Sequence, residues 1–427
     1  MRRISIIGSG QAGLILAHAL IRRGYDVTLY SDKTADEWLH HSRPTGTAYL
    51  FDESLQIERD IGIDHWSDTM HKGQGMHVEM PLPDGSLLSL VARTPRPGGA
   101  VDQRMKFHRW MNDLEDIGGR IVIETVDIAA AERIAEQSDL TVLAVGKGEL
   151  GRVVPRDTAR SVYDRPPRRL AMGIVTNVKG WERRSGITGV KYSKLSSGEI
   201  FWVPFTHKTA GPSWSFIVEA VPGGPLDLFG ELKSGPEVVE ALRALVRQYA
   251  PWDEENVGAM RYVEGDEHGW LVGAFPPTVR AGYGQLPSGA LVVPVGDSAI
   301  TFDPIGGHGG NNASHHARYL ADEIAARNIL PLDAVWAAGI WERYWESRGR
   351  HAYRFNNMFL ESDTPGLAAL LQASAADSHF ADAILGANIM NPRNFFPWIE
   401  SAQNTRELIA IIRSQSETAK ARRSPDA

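Results

Sequence analysis

The run Ile4-Ser-Ile-Ile-Gly8-Ser-Gly10-Gln-Ala-Gly13 places three glycines at Gly-x-Gly-x-x-Gly spacing. That spacing suits the pyrophosphate of a dinucleotide. A glycine at 8 lets a strand turn sharply, one at 10 removes a side chain where phosphate oxygens approach, and one at 13 lets helix and strand pack closely. The first helical amides then face the anionic charge. The residue that holds the adenosine ribose is usually acidic and ends the next strand. Here Ser31 stands in that slot and Asp32 follows one residue late, so either can make the contact.

A second stretch has the same kind of chemistry. Leu291-Val-Val-Pro-Val-Gly296-Asp297 delivers an aspartate from an apolar strand, and Pro304-Ile-Gly306-Gly307-His308-Gly309-Gly310-Asn311-Asn312 leads into a helix predicted over 311–328. An aspartate at a strand end can bond a chain of sugar-like hydroxyls. Bare amides at a helix start can stabilise a negatively charged ring. Among four glycines His308 is the only side chain, either facing that ring or fixing the loop through a backbone carbonyl. Arg104 stands near the start of a helix predicted over 101–114, within reach of a pyrophosphate.

Other chemistries find no residues. The chain has no cysteine, hence no disulfide, thiolate metal site or cysteine nucleophile. The pairs His40-His41 and His315-His316 are sequence neighbours, which point apart on a helix or strand, so no metal site is expected. No nucleophile elbow is present. Net charge is −7 over 427 residues, and nothing suggests nucleic acid or an anionic membrane as a partner. No apolar run is long enough to span a bilayer. With a strand beginning at Ile4, no signal peptide is expected, and the protein is expected in the cytoplasm.

The elements that must position these residues follow from periodicity. Ile4, Ile6 and Ile7 read as a buried parallel strand, 14–23 as a helix stopped by Gly24, and 27–30 as the second strand. Further strands of this sheet are predicted over 120–126 and 140–145. Residues 52–99 read as β-ribbon and loop, broken by Pro81, Pro83, Asp84-Gly85, Pro95 and Pro97. Alternating runs between 151 and 286 read as an antiparallel sheet whose aromatics fill either a pocket or a core, with a helix inserted over 236–249. The fold class is therefore α/β: a Rossmann-like nucleotide domain (1–51, 100–150 and 287–335), an inserted mainly antiparallel β-sheet domain (52–99 and 151–286), and C-terminal helices (336–414). A disordered polar tail is expected over 415–427.

With both glycine-rich stretches in place, the chain resembles the FAD-dependent monooxygenases of the hydroxybenzoate-hydroxylase-like fold. Within these it is most similar to the styrene and indole monooxygenases, the epoxidase components of two-component systems. The marks are the N-terminal glycines, Ala100-Val-Asp-Gln-Arg104, Asp139-Leu-Thr-Val-Leu-Ala-Val-Gly-Lys147, Gly198-Glu-Ile-Phe-Trp-Val-Pro204, and Gly296-Asp297 through Asn312. Relatives carry Gly-Gln-Gly where this chain has Gly307-His308-Gly309, and an asparagine at Gly46.

The resemblance implies FAD as cofactor, bound as FADH2 for turnover and held by Gly8, Gly10, Gly13, Ser31 or Asp32, Arg43, Arg104, Val126, Gly296 and Asp297. It implies that Pro304, Gly307, His308, Gly309, Asn311 and Asn312 border the isoalloxazine and form the catalytic wall. Gly46, Ala48, Leu50, Phe201, Val203 and Phe205 are the substrate-pocket candidates. The implied partners are an NAD(P)H:flavin reductase supplying FADH2, O2, and a small apolar aromatic alkene, indole or sulfide. A homodimer is compatible with it. The implied reaction is epoxidation by a C4a-hydroperoxyflavin, which demands no acid/base dyad. Three alternatives stay open. One is a single-component hydroxylase that reduces its own FAD. The others are a flavin halogenase, which the missing tryptophan-x-tryptophan-x-isoleucine-proline motif disfavours, and a non-catalytic flavin-binding protein.

Overall fold

The computed structural model describes residues 2–361 and 364–423, without the side chains of 415–423. β1 (Arg3–Ile7) is buried from Ile4 onward, as a strand covered on both faces must be. It turns at Gly8 into α1 (Gln11–Ile21), and β2 (Asp26–Ser31) returns parallel to β1, with Ile4 opposite Val27 and Ile6 opposite Leu29. α2 (Ala35–His41) opens on a capping box between Thr34 and Glu37.

α3 (Asp52–Asp60) is a correction to the expected ribbon and loop. Its buried Leu55 and Ile57 follow Asp52 and Glu53 in the first turn, a helical start signal that the later prolines outweighed. β3 (Lys72–Pro81) and β4 (Leu87–Val101) then form a long hairpin. α4 (Gln103–Asp116) is capped by Asp102, whose side chain accepts from the Arg104 amide. β5 (Arg120–Ile123), α5 (Ile128–Glu136) and β6 (Leu140–Leu143) return to the first sheet.

The middle of the chain is β7 (Arg169–Thr176), β8 (Val190–Leu195), β9 (Gly198–His207), β10 (Gly211–Ala220), α6 (Gly235–Tyr249), β11 (Arg261–Tyr262) and β12 (Trp270–Gly273). The chain continues through β13 (Thr278–Val279), β14 (Gly284–Gln285), β15 (Leu291–Pro294) and β16 (Ile300–Thr301).

Two main sheets result. The first has order β14-β15-β6-β1-β2-β5, parallel except at β14–β15. The second has order β11-β7-β10-β9-β4-β3-β8, with β12 on β7 and β8 also on β9. It is antiparallel apart from the β3–β8 and β4–β9 pairings. Every residue of β9 is buried. Ile200 and Trp202 pack toward α6, and Phe201, Val203 and Phe205 toward the opposite face.

α7 (His308–Arg327) starts three residues before the predicted Asn311. Gly309 and Gly310 are weak helix formers, but Gly307 in the left-handed region (φ +69°) caps the helix and tertiary contacts carry it. α8 (Ala334–Tyr344), α9 (Arg350–Leu360), α10 (Pro365–Ala376) and α11 (Ala402–Arg423) follow. α11 continues past Gln415, where a disordered tail is expected. The segment is polar, but Glu417, Ala419, Lys420 and Ala421 are good helix formers. The last four residues of that expectation, 424–427, lie outside the described residues.

Candidate cofactor and substrate cavity

Both glycine-rich stretches line one cavity of about 1100 Å³. The three N-terminal glycines do separate work there. A Cβ on Gly8 would lie 2.3 Å from the Ala144 carbonyl oxygen, and one on Gly13 would lie 1.9 Å from that of Gly8. These two positions are closed by backbone. A Cβ on Gly10 would meet no protein atom within 4 Å, and Gly10 lines the cavity. What a side chain at 10 would obstruct is therefore the cavity itself. Gly10 also caps α1 with no side-chain hydrogen bond, which leaves the first-turn amides available to an anion. The cradle fits the pyrophosphate of FAD.

Around this end Asp32, Val126, Lys147 and Asp297 line the wall. Lys147 Nζ lies 3.1 Å from Asp297 Oδ2 and 4.1 Å from the Phe275 ring centroid. Ser31 is not available for a ribose. The residue is 1% exposed, and its hydroxyl lies 2.6 Å from Ser9 Oγ and donates to the Lys33 carbonyl. Asp32, ion-paired with Lys33, is the one that faces the cavity.

Four further cofactor expectations are corrected. Arg104 is fully buried away from the cavity, held by Asp102 (Nη2–Oδ2 2.7 Å) and Asp266 (Nη1–Oδ1 2.7 Å). Its neighbour Gln103 lines the wall instead. Arg43 donates to the Trp270 carbonyl and stacks 4.0 Å from that ring, off the cavity. Gly13 and Gly296 are packing positions rather than contacts, a Cβ on Gly296 falling 2.8 Å from that of Ala12.

At the second glycine run Pro304, Gly307 and Gly309 line the cavity, but His308 does not. Its ring is buried behind Phe51 (centroids 6.0 Å) and Phe355 (5.7 Å), which do. Gly307 turns the chain so that the first helical side chain points into this aromatic layer. Burial, with Arg348 adding, lowers the His308 pKa to about 3, so the imidazole is neutral. Asn311 is also structural. Its Oδ1 accepts from the Phe51 amide (2.9 Å) and Ser54 Oγ (2.8 Å), and its Nδ2 donates to the Tyr49 (2.9 Å) and Gly307 (2.7 Å) carbonyls. Asn312 Oδ1 accepts from Tyr344 Oη at 2.7 Å, pointing away from the cavity. Neither asparagine lines the cavity.

The far end is apolar. Gly46, Ala48, Phe201 and Val203 line it. Leu50 and Phe205 do not. Leu50 packs with Leu55, Met70 and Val101, and Phe205 is covered where β9 pairs with Ala100 of β4. Sequence reasoning missed Met76, Val78, Met172, Tyr192 and Ile217 on the strands, and Phe359, Leu371, Leu385 and Ile389 in the C-terminal region. Tyr192 stacks on Phe201 with centroids 4.6 Å apart. The alternation of β3, β7 and β8 held a signal for the strand residues, but alternation does not say which face meets a cavity.

Among the described residues no cluster of three or more His, Cys, Asp or Glu is disposed to hold a metal ion. No described helix is long and apolar enough to cross a membrane.

Residues 146–256 match the family model described as "Styrene monooxygenase A putative substrate binding domain". The styrene monooxygenase StyA of Pseudomonas fluorescens is 27% identical over 393 residues, which is 89% of this chain and 91% of that protein. A second styrene monooxygenase StyA, from a Pseudomonas species, is 26% identical over the same shares. Among solved structures, a flavoprotein/dehydrogenase from Cytophaga hutchinsonii superposes with TM-score 0.67 at 14% identity, covering 97% of this chain and 100% of that one. The flavin-dependent brominase Bmp2 superposes with TM-score 0.64 at 15% identity, covering 99% and 100%. The chain is thus styrene-monooxygenase-like in sequence, and its fold is that of flavin-dependent halogenases and related flavoproteins.

Proposed function

We propose that the protein is an FAD-dependent monooxygenase that transfers one atom of O2 to the double bond of a small apolar aromatic alkene, such as styrene or the C2–C3 bond of indole. One observation carries the reading: a single cavity joins a pyrophosphate cradle at Gly10 to an apolar, aromatic end at Tyr192, Phe201 and Val203. The sequence similarity to styrene monooxygenases supports the same chemistry.

Reduced FAD, when bound, supplies the activation of O2. The protein's residues bind, orient and exclude water. The amides of α1 and Asp32 would hold the pyrophosphate and ribose, and Asp297 the ribityl hydroxyls. Gly307 and Gly309 would let the backbone approach the ring, and the start of α7, with no side-chain hydrogen bond at its cap and no acidic residue in its first turn, favours an anionic ring over a neutral one. Phe51 and Phe355 close the wall behind. Met172, Phe201, Val203 and Ile217 would seat an apolar substrate and keep water from the reacting centre.

Reduced FAD arrives from a separate NAD(P)H:flavin reductase in this reading, which rests on the similarity to the styrene monooxygenases. The test is a product assay with the purified protein, supplied chemically reduced FAD, O2 and styrene without NAD(P)H. Styrene oxide is the expected product. Hydrogen peroxide alone would contradict the reading. Reduction of bound FAD by NAD(P)H without a partner would point to the single-component alternative.

A further inference from the structure

Behind the cavity wall lies a pair of carboxyl groups that the proposed reaction does not use. Glu219 is on β10 and Asp303 immediately precedes the Pro304–Gly306 turn. Glu219 is 0% exposed, and Asp303 is also buried. The two carboxyl groups lie close enough to act on each other. Neither oxygen of Glu219 has an N–H or O–H donor from any other group. Asp303 Oδ1 accepts from the Ile305 amide at 3.2 Å, which is what forms the turn.

Two ionised carboxylates cannot bond each other, since each only accepts. The surrounding charge does not relieve them. Arg168 is spent on Glu199, with Nε–Oε2 at 2.8 Å and Nη2–Oε1 at 3.1 Å. Lys194 acts on Glu199. Tyr192 and Tyr163 face the group as neutral phenols, both held above the ordinary tyrosine range by burial. Arg168 draws both carboxyls down but does not offset their burial, so the pair must supply its own neutralisation.

We propose that Glu219 and Asp303 hold one proton between them at neutral pH, and that this proton keeps the Pro304–Gly306 turn in place at the cavity wall. Glu219 is then a positioning residue that acts through Asp303. Burial raises both carboxyls above their ordinary range, Glu219 well above it. The sign follows: the contact is complete below the ordinary carboxylate range and is lost as pH rises through the raised folded value.

Two arms test it. The first uses the protein without flavin and does not depend on the proposed function. The infrared difference spectrum of wild type minus Glu219→Gln at pH 7 should contain the carbonyl stretch of a protonated carboxylic acid. In the variant the amide donates to an ionised Asp303, so alkaline pH should weaken its resistance to urea less than that of wild type. Absence of the acid band from the difference spectrum overturns the proposal.

The second arm reads FAD affinity and rests on the cavity being the FAD site. Glu219→Gln should stay within about threefold of wild type at pH 7, whereas Glu219→Leu, which leaves Asp303 without a partner, should bind about tenfold more weakly. Equal losses in Gln and Leu variants, or no loss in either, would also overturn it. If wild type itself binds no FAD, the proposed function fails while the infrared arm still decides the proton. If Glu219→Leu does not fold, Glu219→Gln decides both arms.

Discussion

The two ends of the cavity are built in opposite ways. The end at Gly10 comes from a few short contiguous runs, Gly8 to Ala12 turning from β1 into α1, Asp32 at the close of β2, Glu124 to Ile128 and Ala144 to Leu150. The apolar end is assembled from single residues on separate strands: Val78 of β3, Met172 of β7, Tyr192 of β8, Phe201 of β9 and Ile217 of β10. Phe359 of α9 and Leu371 of α10 close it. A phosphate is held by backbone amides, which a short motif can aim. An apolar ligand needs a concave surface, which only distant elements can enclose. Substitutions at the first end should therefore act on cofactor affinity, and substitutions at the second on substrate choice.

The largest effects divide the glycines. Gly13→Val drives a side chain into the Gly8 carbonyl and should destabilise the whole fold by about 3 kcal/mol, read as a lower urea midpoint. The Cβ of Gly10→Val meets no protein atom within 4 Å, so unfolding should change little while FAD affinity falls about a hundredfold, equivalent to about 2.7 kcal/mol. If Gly10→Val folds and still binds FAD as tightly as wild type, the cradle is misplaced.

Next in size is the pair at the end of β2. Asp32→Ala should weaken FAD binding about tenfold without changing stability. Ser31→Ala should leave affinity alone and cost about 1 kcal/mol of stability, through its lost bonds to Ser9 and Lys33. The reverse pattern would give the ribose to Ser31. At the apolar end Leu385→Trp should raise KM for styrene severalfold and leave FAD affinity within error. A matching loss of FAD would mean that the two ends are not separable.

The smallest effect is at His308. Its imidazole is held neutral behind Phe51 and Phe355, so activity should show no titration of this group between pH 5 and 9, and His308→Gln should leave the pH profile unmoved. Its mark is on stability. The pKa is lowered, so its contribution is full above the unfolded value of 6.5 and is lost as pH falls toward about 3. His316, lowered by burial to about 3, and His18, lowered to about 4, act in the same direction. His308→Gln should therefore flatten acid unfolding slightly.

The same division explains what the sequence makes legible. The first sheet can be read because Ile4, Ile6 and Ile7 run straight into the glycines and Val27-Thr-Leu-Tyr30 follows at the right distance. Side-chain direction cannot. Arg104 has the right type and place for a phosphate, yet Asp102 beside it and Asp266, 162 positions away, take its guanidinium. Nothing local announces Asp266. His308 is the only side chain in a bare loop, but the left-handed turn at Gly307 decides where it points. Phe201 and Phe205 share a face of β9, and only the pairing with β4 covers one and leaves the other on the cavity.

The central claim is that one cavity holds cofactor and substrate side by side. It is tested most directly by titrating styrene into the protein with FAD bound and following the visible absorbance of the flavin. The predicted result is a saturable shift of the flavin spectrum with the amount of bound FAD unchanged. Displacement of FAD by styrene, or saturable styrene binding that leaves the flavin spectrum untouched, would contradict it.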